Sequence, residues 1–150
     1  MTLRDALFDL AQSARARRPA EAQHAIDTML DELRRSGIDR SCLQVGEAAP
    51  DFTLSGPDGR PQSLDAVLQR GPAVVMFYRG GWCPYCNLAL DAMDGALPAL
   101  RRLGTTVLAI SPQRPDAIRA MAAKHSHQFA LLSDRNNRVA RLFGLAFPLP

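Results

Sequence analysis

The chain has 150 residues and a mass of 16.4 kDa, a length that suits a folded domain with a core of its own. With 47% hydrophobic and 22% charged residues and a formal net charge of +3, it lies outside the compositions of disordered, collagen-like and disulfide-scaffold proteins. Its longest unbroken apolar run, residues 73–78, is six residues, far short of the roughly 20 that a membrane-spanning helix requires. Residues 2–18 repeat apolar side chains at Leu3, Ala6, Leu7, Leu10, Ala11 and Ala14, which is helical spacing, with Thr2 or Asp5 available to the unpaired amides of the first turn. Pro19 breaks this helix, and a second runs over residues 20–35 to Gly37, a natural left-handed cap. The first 40 residues therefore read as a helical hairpin ahead of a main unit over residues 41–150.

From Val45 the pattern changes. Residues 50–54 alternate as a short strand, and Ser55-Gly56-Pro57-Asp58-Gly59 demands a tight turn, so a small hairpin is expected. Ser63 caps a short helix to Leu68, and Gly71-Pro72 ends it before residues 73–78, which are apolar on both faces of the pleat, as a central parallel strand requires. After Cys83-Pro84-Tyr85-Cys86 a helix runs to Leu103, with Pro98 as a kink and Gly104 as a stop, and residues 105–110 form a second buried strand. Strand, helix and strand make a βαβ unit with a right-handed crossover. A helix over residues 114–125, a strand over 129–132 and a helix over 136–143 complete an α/β fold.

Charge is unevenly spread. Residues 101–150 carry eight basic groups against two acidic ones. Their arginines stand at helical spacings without interleaved aromatics, which is the pattern of a solvated face, so nucleic acid is not expected as a partner. The N-terminus mixes acids with its apolar residues and has neither a continuous apolar segment nor a small-residue cleavage site, so the expected address is cytoplasmic, with no membrane contact. In such a reducing compartment the three cysteines point to catalysis or metal binding, not to structural disulfides.

Cys83 and Cys86 follow the apolar strand directly and open a helix. The thiolate is the reactive form of cysteine, and the unpaired amides and positive dipole end of a helix N-terminus favour it. Pro84 suits the first turn because its missing N–H would have had no partner there. Gly80-Gly81 lets the chain bend sharply out of the strand. Spacing of i to i+3 puts both thiols on one face, where a disulfide closes with little backbone movement and exchange chemistry follows. With a peroxide, the first thiolate is oxidised to sulfenic acid and the second condenses with it, so an outside reductant must restore the dithiol.

A lone Cys-x-x-Cys is only half a structural zinc site. Among Cys42, His24, His125 and His127 there is no second close pair at ligand spacing except His125-x-His127, so neither a metal nor a cofactor is expected. Cys42 reads as a small hydrophobe, Trp82 as a packing and recognition residue, and His125 and His127 as a polar helix end. Arg79 reads equally as a group that holds a thiolate or as a solvated loop residue.

The ordered motifs Phe77-Tyr78-Arg79-Gly80-Gly81-Trp82-Cys83-Pro84-Tyr85-Cys86, Ala49-Pro50-Asp51-Phe52-Thr53-Leu54, Ile110-Ser111-Pro112 and Leu131-Leu132-Ser133-Asp134 resemble peroxiredoxin-like proteins of the alkyl hydroperoxide reductase and thiol-specific antioxidant family. The resemblance covers residues 45–147, and the N-terminal hairpin is similar to one carried by a bacterial subgroup. It implies a thioredoxin-like fold and peroxide reduction at Cys83 and Cys86, supported by Arg79, Trp82, Pro84 and Tyr85, with a thioredoxin-type or other thiol reductant as partner. The family's peroxidatic signature places Pro, then Thr or Ser four residues on, then Cys three further; here Arg79, Cys83 and Cys86 occupy those positions. That alignment makes Cys86 peroxidatic, whereas thioredoxin-like logic makes Cys83 the nucleophile. Two other readings stand beside the peroxidase: a thiol-disulfide oxidoreductase with little peroxidase activity, and a non-catalytic truncated redoxin domain. The resemblance further implies that a C-terminal hairpin and helix of the fold are missing. The strand over residues 73–78 is then left at an open edge, for which a homo-oligomer is the expected cover.

Overall fold

The structure is a computed structural model, and it describes residues 1–149. It divides into two compact units, one formed by Met1–Ala49 with the stretch from Ala140 onward, the other by Pro50–Val139.

The first unit carries helices α1 (Leu3–Arg17) and α2 (Ala20–Ser36). Thr2 caps α1: its hydroxyl accepts from the Asp5 amide at 3.2 Å while the Asp5 carboxylate accepts from the Thr2 amide at 2.9 Å. This reciprocal box satisfies two donors that the first turn cannot use, and it holds the Asp5 carboxyl below its usual range. Gly37 ends α2 in the left-handed region at φ 67°, where a Cβ would be strained. A short 3₁₀ turn, Ile38–Arg40, follows.

The second unit holds, among the described residues, a five-stranded sheet built from β1 (Thr53–Ser55), β2 (Pro61–Ser63), β3 (Ala73–Phe77), β4 (Thr106–Ser111) and β5 (Ala130–Ser133), in the order β2-β1-β5-β4-β3. The pairs β3–β4 and β4–β5 are parallel; β1 pairs antiparallel with both β2 and β5. The expected hairpin is the β1–β2 pair. Helices α3 (Leu64–Leu68), α4 (Pro84–Arg102) and α5 (Pro115–His125) connect the strands, and α6 (Arg138–Leu142), last in the chain, begins in this unit and passes at Ala140 into the first. The Ser63 hydroxyl accepts from the Ala66 amide, which caps α3 as the sequence predicts. Helix α4 runs on through Pro98.

One expectation about the sheet is corrected. The run apolar on both faces was expected to be a central parallel strand, but the interior strand of the parallel set is β4, between β3 and β5, with Val107 to Ser111 all buried. Strand β3 lies at the edge, as the family resemblance implied, half-buried along its length, with β4 on one side and no strand on the other among the described residues. An apolar run reports coverage by helices above and below the pleat and says nothing of neighbours within the sheet. The core joins Tyr78, Leu90, Ala109, Ile118, Met121 and Leu131, which ties α4 and α5 to the sheet.

Candidate active site

The site begins where β3 ends. Tyr78 extends the ladder through its amide, which donates to the Ile110 carbonyl at 2.9 Å, and the chain then bends through Arg79-Gly80-Gly81-Trp82 to Cys83. Gly80 is buried at φ 148°, and a Cβ there would lie 2.6 Å from the Trp82 indole nitrogen, so the bend accepts no side chain at this point. The Cys83 amide closes the turn onto the Gly80 carbonyl at 3.0 Å. Cys83 is the N-cap of α4, Pro84 its first residue and Cys86 lies within its first turn. The expected placement in the first turn thus holds for Cys86, while Cys83 sits one step before it, among the unpaired amides.

Two residues that the sequence reading passed over fix this bend. The Gln113 side-chain oxygen accepts from the Gly81 amide at 2.8 Å, and the Asn87 side-chain amide donates to the Gly81 carbonyl at 3.0 Å. Gln113 is itself held by β5, where the Ser133 hydroxyl donates to its carbonyl at 2.7 Å. The bend is therefore clamped from the C-terminal ends of two strands and from α4. Only contacts across tens of residues reveal Gln113; Asn87, one step past Cys86, could have been suspected from position alone.

All three cysteines are free thiols. Arg79 reaches forward four residues, its Nη2 donating to Cys83 Sγ at 3.3 Å, while its guanidinium lies over the Trp82 ring at 5.1 Å. Burial opposes the Cys83 thiolate, but the hydrogen bond from the Cys86 thiol and the Arg79 guanidinium together outweigh it and bring the Cys83 thiol below its ordinary value. For Cys86 the order reverses. Burial and the proton it shares toward Cys83 hold its thiol above the ordinary value. The pair therefore loses its first proton from Cys83, and Cys86 keeps one to donate. Burial also raises the Tyr78 phenol, whose hydroxyl lies 3.7 Å from Met121 Sδ.

Of the other sequence candidates, Trp82 is 67% exposed, Pro84 is exposed and Tyr85 half-buried. Cys42 belongs to the first unit, where its thiol donates to the Asp39 carbonyl at 3.0 Å. His127 departs from the expected polar helix end: its side chain is fully buried and its Nδ1 is bonded to Asp94.

Arg79 offers a direct test. A thiol held below its ordinary value has a larger thiolate fraction, so its alkylation rate falls at a lower pH than that of a free thiol, as the pH drops through the lowered value. Replacing Arg79 by Gln removes a charge-assisted donor that solvent already screens, and is expected to slow alkylation of Cys83 by iodoacetamide at pH 7 by about tenfold. The whole pH profile shifts upward, as read by mass spectrometry of each cysteine.

The model of the AhpC/TSA family matches residues 45–149. The chain is 29% identical over 113 residues to the thiol-disulfide oxidoreductase ResA of Geobacillus thermodenitrificans, covering 75% of this chain and 63% of that protein. It is 33% identical over 103 residues to the chloroplastic peroxiredoxin Q of Populus jackii, covering 69% and 48%. It thus spans about half to two thirds of the length of these curated relatives. Among solved structures, peroxidoxin BcpB of Mycobacterium tuberculosis superposes with a TM-score of 0.68 at 25% identity over 71% of this chain and 70% of that one. The fold is the α/β, thioredoxin-like one of the peroxiredoxins, and with its family motifs carried on that sheet the chain belongs to the AhpC/TSA family.

Proposed function

We propose that the chain is a thiol peroxidase in which Cys83 and Cys86 cycle between dithiol and disulfide. The observation that carries this reading is the opposite shift of the two thiols at the start of α4: hydrogen bonds from the Cys86 thiol and the Arg79 guanidinium lower Cys83, while burial and the proton held toward Cys83 raise Cys86. The Cys83 thiolate attacks one oxygen of the O–O bond and becomes sulfenic acid; the other oxygen leaves as water or an alcohol after taking a proton. Arg79, which already faces the sulfur, also neutralises charge that develops on the oxygens. The Cys86 thiol then displaces hydroxide from the sulfenic sulfur, which leaves as water and closes the disulfide. Two electrons from a dithiol reductant, of thioredoxin type or another, restore the pair. A reducing compartment such as the cytoplasm suits this last step.

Cys83 is only 1% exposed, so the peroxide reaches its sulfur by local opening of the Gly80–Gly81–Trp82 bend. Trp82 is the one tryptophan of the sequence and neighbours the reacting sulfur, which makes its fluorescence the natural probe. In stopped flow, hydrogen peroxide and an alkyl hydroperoxide are expected to change this signal much faster than they oxidise a free thiol. A rate equal to that of a free thiol would end the peroxidase reading. Disulfide exchange is the second reading, favoured by the likeness to ResA and by Arg79 and Cys83 standing where the peroxidatic signature has Pro and a hydroxyl. Rapid reaction with a protein disulfide and none with peroxide would select it.

The oligomer is part of the same proposal. Strand β3 is the end of the sheet among the described residues, an edge is a template for another strand, and a second copy of the chain is the expected cover. Light scattering at micromolar concentration is expected to give a mass above that of one chain; a monodisperse monomer rules this out.

A further inference from the structure

We propose that Asp91, His125 and His127 form a site for a divalent first-row transition metal, with zinc as the ion that best fits two imidazoles and a carboxylate. One donor atom from each of the three residues lies within 4.8 Å of the others. Donors around a tetrahedral zinc stand about 3.3 Å apart, so side-chain rotation of roughly an ångström closes the site.

The arrangement arises from two elements that sequence keeps apart. Asp91 and Asp94 are three residues apart on α4 and so share one of its faces. Helix α5 ends at His125, and Ser126 caps it in the left-handed region, at φ 50° and ψ 32°. That turn brings the His125 and His127 rings into a near-parallel stack, centroids 5.5 Å apart and planes 4° apart, with Phe129 against the other ring at 5.2 Å.

The buried histidine carries the inference. The His127 side chain is 0% exposed, its Nδ1 is bonded to an Asp94 oxygen, and its Nε2 is buried with no hydrogen-bond partner. The other Asp94 oxygen accepts from the Gln128 amide at 3.1 Å. A carboxylate on Nδ1 fixes the tautomer with the proton on Nδ1 and the lone pair on Nε2, which is how a metal-ligating histidine is held. A buried imidazole nitrogen without a partner is unfavourable, and a bound cation relieves it. Asp94 is thus a positioning residue; Asp91, His125 and His127 are the ligands. Three protein ligands leave one coordination position for water or a small anion. The ion would fasten α4, whose N-terminal end carries the cysteines, to the connection between α5 and β5.

The test must separate this site from the thiols, which also bind zinc. Zinc chloride is titrated calorimetrically, and cobalt chloride spectroscopically, into the full chain and into its Cys83→Ser, Cys86→Ser form. One ion per chain is expected in both, with a cobalt spectrum of nitrogen and oxygen ligands and no sulfur charge-transfer band in the cysteine-free site. Asp91→Asn and His125→Gln, at partly or fully exposed positions, are expected to weaken binding about tenfold or more each. Asp94→Asn is expected to weaken it by roughly 10- to 100-fold. Zinc also raises the thermal midpoint of the parent and not that of Asp91→Asn. Absence of saturable micromolar binding overturns the proposal. So does binding that Asp91→Asn and His125→Gln leave unchanged, or cobalt held only through thiolate. If the double cysteine variant does not fold, the parent chain alone decides, through the sulfur band and the two ligand variants.

Discussion

Replacing Cys83 by serine is expected to lower peroxide consumption by at least about a thousandfold, because it removes the thiol of the pair that loses its proton first and with it the covalent pathway. Replacing Cys86 has a different signature. Cys83 keeps Arg79 at 3.3 Å, so one peroxide is consumed per chain, and the reaction halts at a sulfenic acid that a dimedone-type reagent traps on Cys83. The contrast is informative because the spacing of the peroxidatic signature puts the attacking sulfur at Cys86. If that alignment governs, the outcomes exchange: Cys83→Ser retains a single turnover with the trap on Cys86, and Cys86→Ser does nothing. Mass spectrometry of the trapped adducts, with each cysteine replaced in turn, distinguishes the cases and reports whether Cys42 takes part.

The largest effect on stability is expected at Leu90. It is 0% exposed and belongs to the cluster that packs α4 and α5 on the sheet with Tyr78, Ile118 and Met121. Truncation to alanine loses the transfer free energy of the side chain and leaves a cavity, together about 3 kcal/mol. For a unit of this size that lowers the thermal midpoint by roughly 10–20 °C. Leu103, 72% exposed past the end of the same helix, is the control, and its replacement by alanine is expected to change stability by less than about 0.5 kcal/mol. Equal losses at both positions in thermal unfolding would refute the packing argument. A functional consequence follows from position: Leu90 lies one turn beyond Cys86, so slack there loosens the helix start that polarises the thiols.

Much of this protein is legible in local sequence, because helices, caps and turns are set by interactions three or four residues apart. The capping box of Thr2 and Asp5, the glycine ends of the helices, the Ser63 cap and the cysteine pair at a strand-to-helix junction are of this kind. So is the family motif around Cys83 and Cys86. What the sequence left open had long-range causes. Arg79 read equally as loop or as thiolate partner, and only the fold, by bending Gly80 and Gly81 back on α4, brings its guanidinium to Cys83. Gln113 and Ser133 support that bend from strands whose neighbours are chosen across the sheet. His127 looked like a polar helix end, yet Asp94, 33 residues earlier, draws it inside. An apolar run marked β3 as buried between layers, and could not say that β4 would be the strand flanked on both sides by parallel neighbours. Periodicity determines which face of an element is apolar; strand order, charge partners and the asymmetry between two neighbouring thiols arise only when distant segments share one low-dielectric environment.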